Sequence, residues 1–587
     1  MYVVRLCHSG KTMMEDFINQ AKRLLDSVEK HGVSVITMWS NALNKKSMDT
    51  AHLEVTTFVD TLLARQDSPE RLFEIVEAIR GGFHQINSGC EGIKDQEEAI
   101  QYLKILGEET RVYDQLIQRI SPTDISTLSL VVHQSIAAQI HRHLIYYQHY
   151  LPIPEKEWFR INRLFYLAVQ KKISTFTTAD KIYFQGKELS IQNLYAMSLL
   201  LSCGRLNQLS SKEISGVCKS MPDWCTLVKI SRKPSSSSEN QLIVDLSTGS
   251  APNFKKLFAP SEASRSCYLQ VDSLIEKLDF LLSSGVKKLA VFDKGKATPV
   301  SIIGSNLLKP DVIKHLKLAW TEYIYREKRI QTDEIILACW GFKNIFFYLA
   351  GGQTLEQFIG AKASLSVVYS PDIDIAAVEK DRRNDIWSSF PSTSVGNHVS
   401  GVIPPEFNFQ HFFLNNIQQK SLDHPVFTIR MTDSSSKGCR LIWTTPFNKS
   451  PEVGELVGLC KKGSRGHWQV GEVAWRFQAD TGEVTTGIRL LSTMAIPVAV
   501  NIPLRIGSKE NYTGGILFPS EKQIGTKAIS LVLSPLKLNQ GEYIAVSQKG
   551  IEENIYLNKP LKKNTFFESH ECVFVTKKPF VAGSIKK

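Results

Sequence analysis

The 587-residue sequence contains ten cysteines, but no two of them form a Cys-x-x-Cys pair and none joins a ladder with nearby histidines. That gives no zinc-ribbon spacing, and a reduced, cytoplasmic location is the simplest account. The sequence is also short of long hydrophobic runs. Its most apolar stretch, Ile335 to Gly352, is interrupted by Lys343 and Asn344, and an unpaired ammonium at mid-bilayer would be costly. The stretch therefore reads as buried structure and no transmembrane segment is expected. Met1 to Thr12 holds too short an apolar run before Lys11 for a secretory leader.

Catalytic signatures are equally scarce. Gly-x-Ser-x-Gly, Gly-x-Gly-x-x-Gly and His-Glu-x-x-His are all absent, and the expectation is a protein that is not an enzyme and has no cofactor. Ser9, Gly10, Lys11 and Thr12, after a short apolar strand and before a helix, imitate the end of a phosphate-binding loop. Arg5, however, stands where its first glycine must be. His133, His141, His143 and His149 crowd together without any i, i+4 pair, so they read as surface histidines and not as a metal site.

What is present fits globular folding. The composition is 43% hydrophobic and 22% charged, and the length exceeds one core, which suggests three or four domains. The formal net charge is +12, and residues 501 to 587 hold 13 Lys and Arg against 7 Glu and no Asp. Those lysines are dispersed, so the tail reads as a solvated basic face, and nucleic acid is not the expected partner.

The fold class expected is α+β multidomain: a helical N-terminal domain over 1–230, a mixed α/β domain over 241–387, a β-barrel over 406–500 and a β-rich basic unit over 501–587. Thr12 and Glu15 have capping-box spacing before an apolar helical pattern that Gly32 stops. Pro69 opens a second helix that Gly81 and Gly82 are expected to close, and Ser210 with Glu213 repeats the capping box. The polar run 233–240 reads as a linker. Gln241 to Leu246 and Val286 to Phe292 read as strands, Asp272 to Leu282 as a helix, and Ser388 to Pro405 as a loop. From Val426 the alternation turns to period two, with strands at Val453 to Leu459, Trp468 to Phe477 and Glu483 to Leu491, and with Gly471 at a bulge.

Within that region Asp433, Ser435 and Gly438 form an Asp-x-Ser-x-x-Gly turn. A carboxylate and a hydroxyl can meet a purine edge, and a glycine permits close backbone approach. Alone the trio is weak, since plain β-turns share it. It is followed in order by Val453-Gly-Glu-Leu-Val-Gly-Leu459, His467-Trp-Gln-Val-Gly-Glu-Val-Ala-Trp-Arg476, Gly487-Ile-Arg-Leu-Leu491 and Pro497-Val-Ala-Val500. This series resembles the strand signatures of the bacterial PilZ domain. More loosely, the layout from residue 240 is similar to large atypical PilZ, cyclic-di-GMP-binding proteins, in which a degenerate barrel precedes the recognisable one.

The resemblance implies a cyclic-di-GMP receptor or signalling adaptor whose turn, Asp433, Ser435 and Gly438, contacts a guanine. It implies as well a protein partner that the sequence does not identify. The family's Arg-x-x-x-Arg phosphate grip is absent everywhere in the chain. Arg326, Lys328 and Arg329, just before the strand-like Glu334 to Ala338, are the best substitute, with Arg430 and Arg440 nearer to the turn. Trp468 and Trp475 could stack on a base, although core packing is the plainer reading for Trp475. The alternative function is a ligand-free protein–protein interaction scaffold.

Overall fold

The computed structural model describes residues 2–88, 96–234, 241–257, 265–283, 308–323, 328–360, 424–443, 450–461, 467–479, 482–502, 511–519, 528–535, 538–548 and 551–575. The expected strand Val286 to Phe292, the loop Ser388 to Pro405, residues 235–240 of the linker and Arg326 lie outside them. The chain divides into two compact units, Met1–Tyr325 and Arg326–Lys587.

The first unit begins with seven helices: α1 Tyr2–His31, α2 Ser34–Leu43, α3 Met48–Leu63, α4 Pro69–Ser88, α5 Gln96–Arg119, α6 Ile125–Gln148 and α7 Glu155–Gln170. A hairpin of β1 Thr177–Asp180 and β2 Lys187–Ser190 leads to α8 Ile191–Cys203 and α9 Ser211–Trp224. Strands β3 Lys229–Ser231, β4 Leu242–Asp245, β5 Asn253–Phe254 and β6 Ser266–Gln270 form an open sheet of order β3-β6-β4-β5, followed by α10 Asp272–Ser283 and α11 Pro310–Thr321.

Local chemistry explains several of these boundaries. Ser210 and Glu213 form the expected reciprocal capping box on α9, and Gly32, at φ 76°, follows the end of α1. Two expectations fail. Helix α1 begins at Tyr2, so the short strand expected before Ser9 and the capping-box start expected at Thr12 and Glu15 are replaced by continuous helix, because neither proline nor a strand partner interrupts the helical path. Helix α4 runs through Gly81 and Gly82 to Ser88. A Cβ at Gly82 would stand 1.8 Å from Ser40 Oγ, so this glycine lets α2 cross closely and is not a stop.

Helix α6 is surrounded by its neighbours, and His133, His141 and His143 are buried along it, contrary to the surface reading. A helix wrapped on all sides has no polar face to offer them. His143 Nδ1 meets Ser198 Oγ at 2.9 Å, and His133 Nε2 meets the Leu189 carbonyl at 2.8 Å. Among the described residues, no group of three His, Cys, Asp or Glu could hold a metal ion, and no helix is long and apolar enough to cross a membrane.

The second unit opens with β7 Ile330–Trp340, followed by α12 Phe342–Leu349 and α13 Leu355–Gly360. Strands β8 Phe427–Ser435, β9 Gly438–Trp443, β10 Leu456–Lys461, β11 Gln469–Gln478 and β12 Val484–Ser492 join β7 in a closed barrel of order β10-β11-β12-β9-β8-β7. The barrel thus takes its first strand from 330–340, within the stretch assigned to the mixed domain, while the open sheet and α10 belong to the first unit. A strand far from its partners in the chain carries no local sign of the sheet it will join. Gly471 does sit at a register shift in β11.

Strands β13 Ile496–Ile502, β14 Asn511–Pro519, β15 Ala528–Leu533, β16 Tyr543–Gln548, β17 Ile551–Lys563 and β18 Glu568–Phe574 close a second barrel of order β13-β14-β15-β18-β17-β16. Closure removes the unpaired edges that an open sheet of this size would expose. The two barrels share a core: Leu337, Cys339, Leu456, Cys460 and Trp468 of the first pack with Ile516, Phe518, Val532 and Phe567, and with Ile345 of α12. One wall of the first barrel is therefore covered, while Arg440 of β9 and Trp475 of β11 are part-exposed.

Candidate ligand-binding face of the first barrel

Strand alternation determines which side chains leave the first barrel. In β9, Cys439, Leu441 and Trp443 are buried and Arg440 and Ile442 are less so, which places Arg440 outward. A register shift between Met431 and Asp433 in β8 sets Asp433 opposite Arg440. This bulge matters because it puts a carboxylate where alternation would otherwise have set a different residue.

Asp433 is fully buried, yet it lies between two guanidinium groups. Arg329 Nη1 donates to Oδ1 at 2.6 Å, and Arg440 Nε stands 3.0 Å from Oδ2. The second contact is an ion pair without hydrogen-bond alignment: Asp433 Oδ2 and Arg440 Nε have no hydrogen-bond partner. Buried polar atoms are rarely left so. Behind them the Cys439 thiol is pushed up to about 12 by burial, with the Asp433 charge adding to the effect.

The row continues across the barrel. Arg440 pairs in register with Gly487 of β12, and Gly487 pairs with Trp475 of β11. The indole lies across Gly487, where a Cβ would come within 2.0 Å of Trp475 Nε1, and the Arg440 guanidinium carbon is 6.0 Å from the ring centroid. Trp475 is half-buried on this outer face, so it is not a core residue, whereas Trp468 is buried and stacks on Tyr348.

Ser435 and Gly438 close the hairpin. Ser435 Oγ donates to the Gly438 carbonyl at 3.3 Å and accepts from Lys437 N–H at 3.4 Å. At Gly438, a Cβ would stand 1.9 Å from the Ile488 carbonyl oxygen. The close approach that requires glycine is thus to strand β12. Leu490 N–H donates to the Lys437 carbonyl at 2.8 Å, fixing the hairpin tip against the same strand.

Of the cations expected from sequence, Arg329 and Arg440 meet at Asp433. Lys328 is exposed beside them, and Arg430 lies on the outer surface paired with Asp333. Sequence reading missed Gly487 as the seat of Trp475. It also missed Arg489, which shares the outer face with Gly487 two residues away and is the register partner of Gly438. The signal was there in Gly487-Ile488-Arg489, once the strand's facing is known.

The arrangement offers a carboxylate acceptor for an N–H edge, guanidinium forks for phosphate or for a purine's O6 and N7, and an indole platform. A family model described as "Cyclic-di-GMP receptor FimW, middle PilZ domain" matches residues 241–497, and one described as "Cyclic-di-GMP receptor FimW, N-terminal domain" matches residues 34–235. The chain is similar to the cyclic-di-GMP receptor FimW of Pseudomonas aeruginosa, 22% identical over 439 residues, covering 72% of this chain and 68% of that protein. No solved structure matches. With both domain models in their expected order and a closed barrel carrying the Asp-x-Ser-x-x-Gly hairpin, the chain belongs to the FimW family of PilZ-domain proteins.

Proposed function

We propose that this protein is a cyclic-di-GMP receptor, that its ligand lies on the outer face of the first barrel, and that it acts in the bacterial cytoplasm as a regulatory protein without catalytic activity. The observation that carries the reading is Asp433: a buried carboxylate, one oxygen lacking a hydrogen bond, set between Arg329 and Arg440 and beside Trp475. A guanine N–H edge supplies the donor that Asp433 Oδ2 lacks. The two phosphates of the ligand supply the charge that draws the arginines outward, and Trp475 offers a face for a base. Lys328, exposed just before β7, adds positive charge where the chain enters the barrel. A protein partner receives the signal through the helical unit.

One observation favours a second reading, a ligand-free scaffold. Arg329 and Arg440 already have a carboxylate between them, and a ligand must compete with it. Calorimetric titration of the full chain with cyclic-di-GMP, against GMP and GTP, separates the two. Binding of cyclic-di-GMP in preference, weakened about 10- to 100-fold by Asp433→Ala or Arg329→Ala, is expected, since one charge-assisted hydrogen bond contributes about 1.5–3 kcal/mol. A folded wild-type protein that takes up no ligand would overturn the receptor reading in favour of the scaffold.

A further inference from the structure

Three arginines surround the hairpin between Ser435 and Gly438, and one of them is held by a carboxylate that has another cation. Glu472 of β11 is 2% exposed and takes Arg489 Nη2 at 2.7 Å. It also takes the Lys562 ammonium from β17 of the second barrel. A buried carboxylate needs a counter-charge, and Lys562 still supplies one when Arg489 turns away. Arg489 is free to turn: its side chain is 55% exposed.

Its position suits such a move. Gly438 is its register partner on the neighbouring strand, adjacent strands lie about 4.8 Å apart, and a glycine places no side chain in the path. The reach from Glu472 to the space above the hairpin is within the sweep of one arginine side chain. Arg329 and Arg440, by contrast, are engaged with a carboxylate that has no third cation among the described residues.

We infer that Arg489 is a phosphate-binding residue of the same site, shared between Glu472 and the ligand, so that ligand capture is coupled to the Lys562 ion pair with the second barrel. The inference rests on the receptor reading above. A guanidinium fork matches two phosphate oxygens where an ammonium offers only a point charge. When Arg489 moves to the ligand, Glu472 is left to Lys562 alone and that bond tightens. By reciprocity, a change at Lys562 alters ligand affinity although Lys562 touches no ligand: without it, Glu472 holds Arg489 more firmly.

The test is calorimetric titration of the full chain with cyclic-di-GMP for wild type, Arg489→Ala, Lys562→Ala and Glu472→Gln, with circular dichroism as the check on folding. Arg489→Ala is expected to bind about 10- to 100-fold more weakly, Lys562→Ala several-fold more weakly, and Glu472→Gln more tightly than wild type. Lys562 is part-exposed and Arg489 still faces Glu472 in its absence, so its variant reports on the sharing even where Glu472→Gln does not fold. A folded Arg489→Ala protein that binds within twofold of wild type overturns the inference and leaves the receptor reading standing. Lys562→Ala binding as tightly as wild type overturns the coupling. A wild-type protein that binds nothing overturns both the inference and the receptor reading.

Discussion

Arg329 Nη1 lies 2.6 Å from Asp433 Oδ1, joining the residue just before the first barrel's opening strand to one 104 residues later in the chain. The pair fastens β7 to β8 at the end where the hairpin emerges. It also leaves the second carboxylate oxygen facing Arg440. Removing Arg329 takes one of two counter-charges from a fully buried carboxylate, so effects on binding must be read beside a check on folding.

Trp475 is expected to report on the ligand directly. Base–aromatic stacking contributes about 1–3 kcal/mol per base, so Trp475→Ala should weaken cyclic-di-GMP binding roughly 5- to 100-fold, and Trp475→Phe should recover most of the loss. Titration calorimetry on the two variants decides it. Equal affinities for wild type and Trp475→Ala would remove the indole from the site.

Gly438→Ala is expected to act on the barrel before it acts on any ligand. The added Cβ meets the Ile488 carbonyl oxygen at 1.9 Å, which is backbone and has little freedom to give. A loss of about 1–3 kcal/mol is the usual cost of forcing atoms into a packed site, and urea unfolding followed by circular dichroism would register it. A variant as stable as wild type would mean that the hairpin can lift from β12.

The stability of the helical unit should be greatest near pH 6.5. Burial pushes Glu109 up from 4.5 to about 8, against the opposing pull of Arg80 and the Tyr183 hydroxyl, with Glu77 and Asp180 reinforcing the rise. The folded unit therefore binds more protons than the unfolded chain between those values, and this contribution is lost as pH rises through 8. Burial drives His141 and His143 the other way, from 6.5 to about 3, so their contribution is lost as pH falls below 6.5. Thermal unfolding of wild type and Glu109→Gln at pH 6.5 and 9 should show a drop that the variant lacks; equal drops would contradict the assignment.

Glu157→Gln is expected to be among the most damaging single changes in the helical unit. Arg142 Nη2 donates to Glu157 Oε1 at 3.0 Å with both side chains buried. Burial favours the neutral acid, but Arg142, Gln139 and Arg160 outweigh it and hold Glu157 below the usual range. Leaving one buried charge alone costs about 3–5 kcal/mol, whereas Arg142→Met with Glu157→Met should be far milder. Urea unfolding of the single and double variants makes the comparison, and a double variant worse than the single would refute it.

Much of the barrel was legible in the sequence because period-two alternation and turn glycines are local signals: β10, β11 and β12 fall close to the expected strands. The hairpin trio was legible for the same reason. What stayed hidden depends on distant partners. Strand β7 reads as an isolated apolar run until β8 and β10 are known to flank it, and Asp433 faces Arg440 only because of a bulge that no single residue announces. The fate of His133, His141 and His143 was likewise set by the helices packed around α6, while Gly82 resembled a stop because its crossing partner, α2, is far away in sequence.

The remoteness of β7 from its partners bears on how the protein is made. Both strands that flank it, β8 and β10, come from beyond residue 426. A nascent chain lengthening by roughly 5–20 residues per second therefore carries β7 for several seconds with both edges bare, an open template for a neighbouring polypeptide. Asp333 and Glu334, within this strand, place charge on it during that interval. Ribosomes that stall between residues 341 and 426 would release a folded helical unit trailing one orphan strand, and such fragments should clump where chains ending at Tyr325 do not.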